Sequence, residues 1–230
     1  MHPDSSLSGN DAHVLNALFD PESSLSSGPS IDASQNSLPH VDESELSILQ
    51  TTEARIVNSL TPSNSSRTNV AAAIEQLGKL IDEHPQYAPA YINRAQANRL
   101  QLGDGVYTAK ISPAVASILA DLSTAISLIT PSSPAESVSQ LQAKLLASAH
   151  THRAYILYKI SKSGDLSSLP EPMQHGGAGA VEEMASRDFF LGGRYGNTVA
   201  QQMSVRTNPY AKMCGAIVKE ALRKEMDSTA

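Results

Sequence analysis

The hydrophobic pattern of this chain is helical over most of the sequence that follows residue 42. Its clearest apolar stripe has the three- and four-residue spacing of one helix face and consists of Val115, Ile118, Leu119, Leu122, Ala125, Ile126 and Ile129. Similar stripes recur before and after it, whereas no run of useful length alternates between apolar and polar residues as a β-strand would. The pattern therefore predicts an all-α fold.

Capping and turn residues divide these stripes into separate helices. Asp42 and Glu45 have the spacing of a capping box, so a helix is predicted to begin there. The run Ser133-Pro134-Ala135-Glu136 combines an N-cap, a Pro at the first helical position and a Glu at the third, which predicts another helix start. The apolar residues of the last helix, Met213, Cys214, Ile217 and Ala221, are predicted to face inward.

The predicted helices form three hairpins and a closing pair. The hairpins cover residues 42–84, 88–130 and 134–195, with loop insertions at 105–113 and 163–179. The closing helices cover residues 197–226. Three stacked hairpins are near the minimum that a helical repeat protein needs to bury a continuous core, so we predict a solenoid of three repeats with a C-terminal capping helix.

Residues 1–41 form a Ser-rich, Pro-containing arm that we predict to be mostly disordered. The first 54 residues contain no Lys or Arg, so the arm is acidic. A short helix is predicted at residues 11–19, where Val14, Leu15, Leu18 and Phe19 share one face. A helix of two turns needs a docking surface to be stable. It is either an intramolecular latch, which we favour, or a motif that binds another protein.

Composition narrows the class of protein. The absence of a basic stripe and of an interleaved aromatic set argues against nucleic-acid binding. The single Cys214 excludes an internal disulfide and suits a reducing compartment. Pro113 and Asp121 interrupt the most apolar region, so no membrane span is predicted. With no signal or transit sequence recognised, we expect a cytoplasmic protein, with the nucleus as an alternative.

The segment around Pro85 has the most specific local pattern. One helix ends before His84-Pro85, and a second opens on Tyr91-Ile92-Asn93-Arg94-Ala95. This junction resembles that of tetratricopeptide repeats, in which paired helices stack and present a concave surface to a partner. In that arrangement the first helix of each hairpin lines the concave surface.

The chain as a whole resembles the tetratricopeptide repeat protein 36 family. Four segments in the same order carry the resemblance: Asn10 to Pro21, Ala90 to Gln101, Ser186-Arg187-Asp188-Phe189 and Asn208 to Cys214. The resemblance implies three repeats, no enzymatic activity, binding to heat-shock chaperones of the seventy-kilodalton class and a link to tyrosine catabolism. The two loop insertions and the Ser-rich arm depart from the family pattern.

The tetratricopeptide register predicts which residues line the groove and bind a protein or peptide: Arg55, Asn93, Gln96, Arg99, His152, Tyr155 and Lys159. An Asn amide suits a peptide backbone, and cations favour a carboxylate. Chaperone-tail receptors of this class use a clamp of Lys, Asn, Asn, Lys and Arg. Only Asn93 matches that clamp. Arg55 lies where the clamp has an Asn, and His152 lies where it has the Arg. Any chaperone contact is therefore predicted to use another surface or the N-terminal helix.

Candidate catalytic features do not fit together in the sequence. His150 and His152 are two positions apart on a helix, so they cannot share a metal ion. The run Gly176-Gly177-Ala178-Gly179 lacks the Gly-Lys-Ser/Thr ending of a phosphate loop. We therefore predict no cofactor, no metal and no enzymatic activity. The two hypotheses are an adaptor that binds a partner in the groove and a regulator whose N-terminal helix occupies that groove until it is displaced.

Overall fold

The computed structural model describes residues 29–60, 66–103, 112–133 and 136–208, together with residues 213, 217–220, 223 and 224. Helices dominate these residues, which confirms the all-α prediction. In chain order the elements are β1 Ile31–Asp32, α1 Glu43–Asn58, α2 Arg67–Glu83, α3 Ala88–Leu102, α4 Ser112–Ile129, β2 Val138–Ser139, α5 Gln140–Ser163, α6 Glu171–Gln174, α7 Gly177–Arg194 and α8 Thr198–Thr207.

Helices α1 to α4 each pack against the next helix in the chain, and α7 packs against both α5 and α8. The core is aliphatic, and every residue of the apolar stripe predicted on α4 is buried, from Val115 to Ile129. Small residues allow close approach of the helices. A Cβ on Gly192 would lie 2.7 Å from Thr151 Oγ1, so this glycine is what lets α7 pack tightly on α5.

Two buried ion pairs connect the helices. Arg94 on α3 donates two hydrogen bonds to Asp121 on α4, at 2.9 and 2.6 Å. Arg153 on α5 donates two to Asp188 on α7, both at 2.7 Å. His150 Nδ1 lies 2.8 Å from the same Asp188 carboxylate. Burial acts to raise the pKa of Asp188, but the bonds from Arg153 and His150 outweigh it and the pKa is lowered.

Residues 29–41 belong to the folded body, which corrects their assignment to the disordered arm. Ile31 and Asp32 pair in parallel with Val138 and Ser139, so a two-residue strand pair exists where no strand was predicted. Leu38 is 5% exposed and contributes to the core. The strand partner lies more than 100 positions away, and no local period in the sequence reports such a pairing. The predicted helix at residues 11–19 lies outside the described residues.

The start of α5 also differs from the prediction. The helix begins at Gln140, after an N-cap at Ser139, and not at residues 133–136. Ser139 and Gln142 form a capping box: the Gln142 N–H donates to Ser139 Oγ at 3.0 Å, and the Ser139 N–H donates to Gln142 Oε1 at 3.3 Å. Glu136 instead accepts a hydrogen bond from the Ser132 N–H at 3.0 Å. The helix therefore starts at a cap that the sequence analysis did not identify.

Smaller corrections concern caps and loops. Asp42 is the N-cap of α1, but its side chain makes no capping hydrogen bond. Glu45 Oε1 lies 2.8 Å from Nδ1 of His84, the C-cap residue of α2. The segment predicted as a flexible insertion at 163–179 contains α6 and the start of α7, and its Leu169 is 2% exposed. Most of the 105–113 insertion lies outside the described residues.

The described residues of the last predicted helix do not face inward as the sequence predicted. Met213 is 55% exposed and Ile217 is 62% exposed, so the inward orientation predicted for these two residues is wrong. Cys214 and Ala221, predicted to share that face, lie outside the described residues. Within the part of the chain that is described, no helix has both the length and the apolarity needed to cross a bilayer.

Candidate functional site

A cleft with a volume of about 730 Å³ opens between α3, α5 and the start of α8. It is lined by both polar and apolar side chains. The described lining residues are Gln96, Arg99, Lys144, Ala147, Ser148, Thr151, His152, Tyr155, Phe189, Tyr195, Gly196, Asn197, Val199 and Met203. A cleft of this size accommodates several residues of a peptide.

Four of the residues predicted for the groove meet in this cleft. Gln96 and Arg99 are one turn apart on α3, and His152 and Tyr155 are one turn apart on α5. Residues three or four positions apart share a helix face, so the register predicted their common orientation. Tyr155 is 39% exposed, which leaves much of its ring available to a ligand.

His152 is the most unusual polar group of the cleft. Both ring nitrogens are buried, and neither forms a hydrogen bond with any of the described residues. Burial, with a smaller contribution from the positive charge of Arg99, lowers the pKa of His152 to about 4. The ring is therefore neutral at pH 7, with one nitrogen that donates and one that accepts.

The cleft has a positive charge. Arg99 and Lys144 are exposed on facing helices, and no Asp or Glu is present among the described residues that line the cleft. The sequence prediction did not include Lys144. The helical register could have predicted that Lys144 faces the cleft, because it lies two helical turns before His152 on the same face of α5.

Asn93 lies in a second pocket of about 360 Å³ that adjoins the cleft along α3 and α5. Its side-chain amide donates to Glu53 on α1, and the Tyr87 hydroxyl donates to the same carboxylate. The other described lining residues are Gln50, Ala54, Val57, Asn58, Pro89, Leu141 and Leu145. The amide donor that we assigned to a ligand therefore bonds within the protein.

Burial controls the ionisation of the groups in this second pocket. It raises the pKa of Glu53, and the hydrogen bonds from Tyr87 and Asn93 only partly oppose the effect. Burial and the neighbouring Glu53 carboxyl raise the pKa of the Tyr87 hydroxyl, which remains protonated and donates. The sequence analysis did not identify Glu53 or Tyr87 as site residues, and no motif at either position marks them.

Two further predicted groove residues line neither pocket. Arg55 is exposed on α1, whose side toward the second pocket carries Gln50, Glu53, Ala54 and Val57 instead. Lys159 lies at the rim of the cleft, where its Nζ is 5.5 Å from the centroid of the Tyr155 ring. This distance permits a cation–π interaction, so Lys159 orients a cleft residue and does not line the cleft itself.

Comparison with known proteins gives related sequences over nearly the whole chain. The chain is 46% identical over 241 aligned positions to the L-tyrosine degradation gene cluster protein hmgX of Aspergillus fumigatus, covering 96% of this chain and 94% of that protein. It is 26% identical over 224 positions to the tetratricopeptide repeat protein 36 of Homo sapiens, covering 95% and 97%. The Bos taurus protein of that name is also 26% identical, with 93% of each chain covered. No family model matches the chain. No solved structure matches it.

Proposed function

Because the chain belongs to the tetratricopeptide repeat protein 36 family, we propose that it is a non-catalytic adaptor that binds a segment of another protein in its cleft. The observation that carries the proposal is a cleft lined by polar side chains, among them His152, whose ring nitrogens form no hydrogen bond with the described residues. The proposal treats residues 42–84, 88–130 and 134–195 as repeats and 197–226 as the cap. The packing of α1 on α2, α3 on α4, and α5 on α7 is compatible with this division, and α2 also packs on α3.

The chemistry of the cleft favours an acidic segment as ligand. Arg99 and Lys144 supply positive charge without an acidic residue among the described cleft lining. A charge-assisted hydrogen bond from such a cation contributes about 1.5–3 kcal/mol when water is excluded. Tyr155, Tyr195 and Met203 add apolar surface for the carbon atoms of the ligand. One or two carboxylates flanked by apolar side chains would complement this lining.

The partner that we propose is an enzyme of tyrosine catabolism. The name of the Aspergillus fumigatus relative refers to an L-tyrosine degradation gene cluster, which supports a role in the same process for this chain. A heat-shock chaperone is the other partner that the family resemblance implies. Of its five-residue clamp only Asn93 is present, and the Asn93 amide bonds to Glu53. A chaperone would therefore bind elsewhere on the protein. We expect the activity in the cytoplasm, with the nucleus as the alternative.

Affinity purification with mass spectrometry tests this function. The wild type is compared with the double variant Arg99→Gln and Lys144→Gln. A control double variant, Arg67→Gln and Lys79→Gln, removes the same charge from α2. We expect wild type and control to capture an enzyme of tyrosine degradation and the cleft variant to capture about tenfold less. Equal capture by all three proteins would show that the cleft is not the binding site.

A regulated form of the adaptor is a second candidate, in which the acidic N-terminal segment occupies the cleft until a partner displaces it. Pro29 and Tyr195 both line a small pocket of about 190 Å³, and Tyr195 also lines the cleft. The 28 residues before Pro29 therefore join the body beside the cleft. They contain four acidic residues and no Lys or Arg, which suits a positively charged site. Tethering gives such a segment a high effective concentration.

Removal of residues 1–28 tests this second candidate. The truncation ends at residue 28 because residues 29–41 pack on the body. A Gly/Ser segment of equal length replaces the deleted residues as a control for chain length. Partner affinity is expected to rise in both altered proteins, and the same affinity as the full chain would exclude a latch.

A further inference from the structure

The half-buried Glu53 carboxylate differs in its partners from Asp121 and Asp188, the buried carboxylates of the described residues. Asp121 is bonded to Arg94, and Asp188 to Arg153. Among the described residues, Glu53 has only two neutral partners, the Tyr87 hydroxyl and the Asn93 amide. A carboxylate has about four lone-pair positions for hydrogen bonds, so roughly half of the accepting capacity of Glu53 remains for another donor.

Neutral donors do not offset the cost of burying this charge. The pKa of Glu53 is raised by its burial, whereas the pKa of the Arg-bonded Asp188 is lowered despite its burial. The difference follows from the cation that Asp188 has and Glu53 lacks within the described structure. An ammonium or guanidinium group in the pocket would supply the missing positive charge and the remaining hydrogen bonds.

We propose that the Glu53 pocket is a subsite for a Lys or Arg side chain of the same protein segment that binds in the cleft. The proposal rests on the proposed function and names a second determinant of its ligand. The pocket walls support it, because Val57, Leu141 and Leu145 provide apolar surface for the methylene groups of a long basic side chain. Glu53 then bonds the terminal cation.

The geometry also sets the spacing between a basic and an acidic residue in the ligand. Asn93 beside Glu53 and Arg99 in the cleft are six residues apart on α3, which corresponds to about 9 Å along the helix axis. An extended peptide advances about 3.3 Å per residue, so this distance spans roughly three residues. The complementary ligand therefore has a basic residue about three positions from an acidic one, aligned with the two pockets.

A positional-scanning library of acetylated and amidated octapeptides tests the subsite. Binding is compared for the wild type, Glu53→Gln, the cleft double variant Arg99→Gln with Lys144→Gln, and the control Glu75→Gln, which neutralises an exposed carboxylate on α2. We expect the wild type and the control to select Lys or Arg about three positions from Asp or Glu. Glu53→Gln should lose the basic preference by about tenfold and keep the acidic one. The cleft variant should lose only the acidic preference.

The outcomes separate this proposal from the adaptor function. Acidic selection by the wild type without basic selection, or basic selection that survives Glu53→Gln, overturns the subsite and leaves the adaptor function in place. No selection at any position overturns both.

A second measurement covers the case in which Glu53→Gln fails to fold. The wild type is titrated with N-acetyl-lysine N-methylamide and followed by amide NMR. Shifts centred on Ala54, Val57 and Asn93 support the subsite, and shifts confined to other regions, or none, overturn it.

Discussion

Helices α3 and α5 each have two polar faces. On one face the polar side chains bond to a neighbouring helix, and on the other they face the cleft. On the packing face, Arg94 bonds to Asp121, and Arg153 bonds to Asp188. On the face toward the cleft, the His152 ring forms no hydrogen bond with the described residues, and Arg99 is exposed although it is only five positions from Arg94. Residue type alone does not distinguish the two uses.

This difference separates structural from ligand-binding polar groups. A buried polar group that is fully bonded stabilises one arrangement of helices, whereas an unbonded group facing a cleft retains its capacity for a ligand. Asn93, Arg94 and Asp188 lie within the segments that carried the family resemblance, and all three bond across helix interfaces. Those segments therefore preserve packing between helices as much as a binding surface.

Removal of the Asp188 carboxylate is expected to have the largest effect on stability and tests the structural role of the bonded groups. Asp188→Ala removes the carboxylate that the half-buried Arg153 and the buried His150 share, and we expect a loss of about 3–5 kcal/mol in the free energy of unfolding. Urea denaturation at pH 7 measures it. Glu183→Ala, an exposed change on the same helix, should alter stability by less than about 0.5 kcal/mol. Similar losses for the two variants would contradict a structural role for the Asp188 cluster.

The pH dependence of stability tests the unbonded state of His152. Its folded pKa of about 4 lies below the unfolded value near 6.5, so the unfolded state takes up a proton first as the pH falls. The stabilisation is complete above about pH 6.5 and is lost as the pH falls through the folded pKa. Between pH 7 and pH 4.5 the wild type should lose about 2–3 kcal/mol more than His152→Gln. Parallel curves for both proteins would mean that the ring is solvated or bonded.

The smallest expected effects on stability are those of substitutions at two residues of α3. Asn93→Ala removes one donor to the buried Glu53 carboxyl and should lower the free energy of unfolding by about 1–2 kcal/mol. Arg99→Ala removes an exposed side chain and should lower it by less than about 0.5 kcal/mol. Thermal and urea unfolding of the two single variants measure this. If the two changes have equal effects on stability, the division of polar residues into bonded and free groups does not hold on α3.

Local periodicity explains what was predictable about the cleft. Gln96 and Arg99, like His152 and Tyr155, share a helix face because their spacing matches one turn, and this holds in any tertiary setting. The same reasoning predicted the buried stripe of α4. It also applied to Lys144, whose position two turns before His152 was not considered.

Non-local pairings account for what was missed. Glu53 and Asn93 are 40 positions apart, and Ser139 bonds to a carbonyl 102 positions away. Neither residue type nor spacing along the chain indicates such partners. The same limit explains the error at the start of α5, because Val138 and Ser139 pair with β1 and leave Ser139 to cap the helix.

The sequence by itself determined the helices, most of the faces they bury and the residues that share a turn on the cleft side, because these follow from a period of 3.6 residues per turn. Only the tertiary structure decided which polar side chains form hydrogen bonds between helices and which face the cleft. That distinction depends on whether a partner from a distant part of the chain lies within hydrogen-bonding distance.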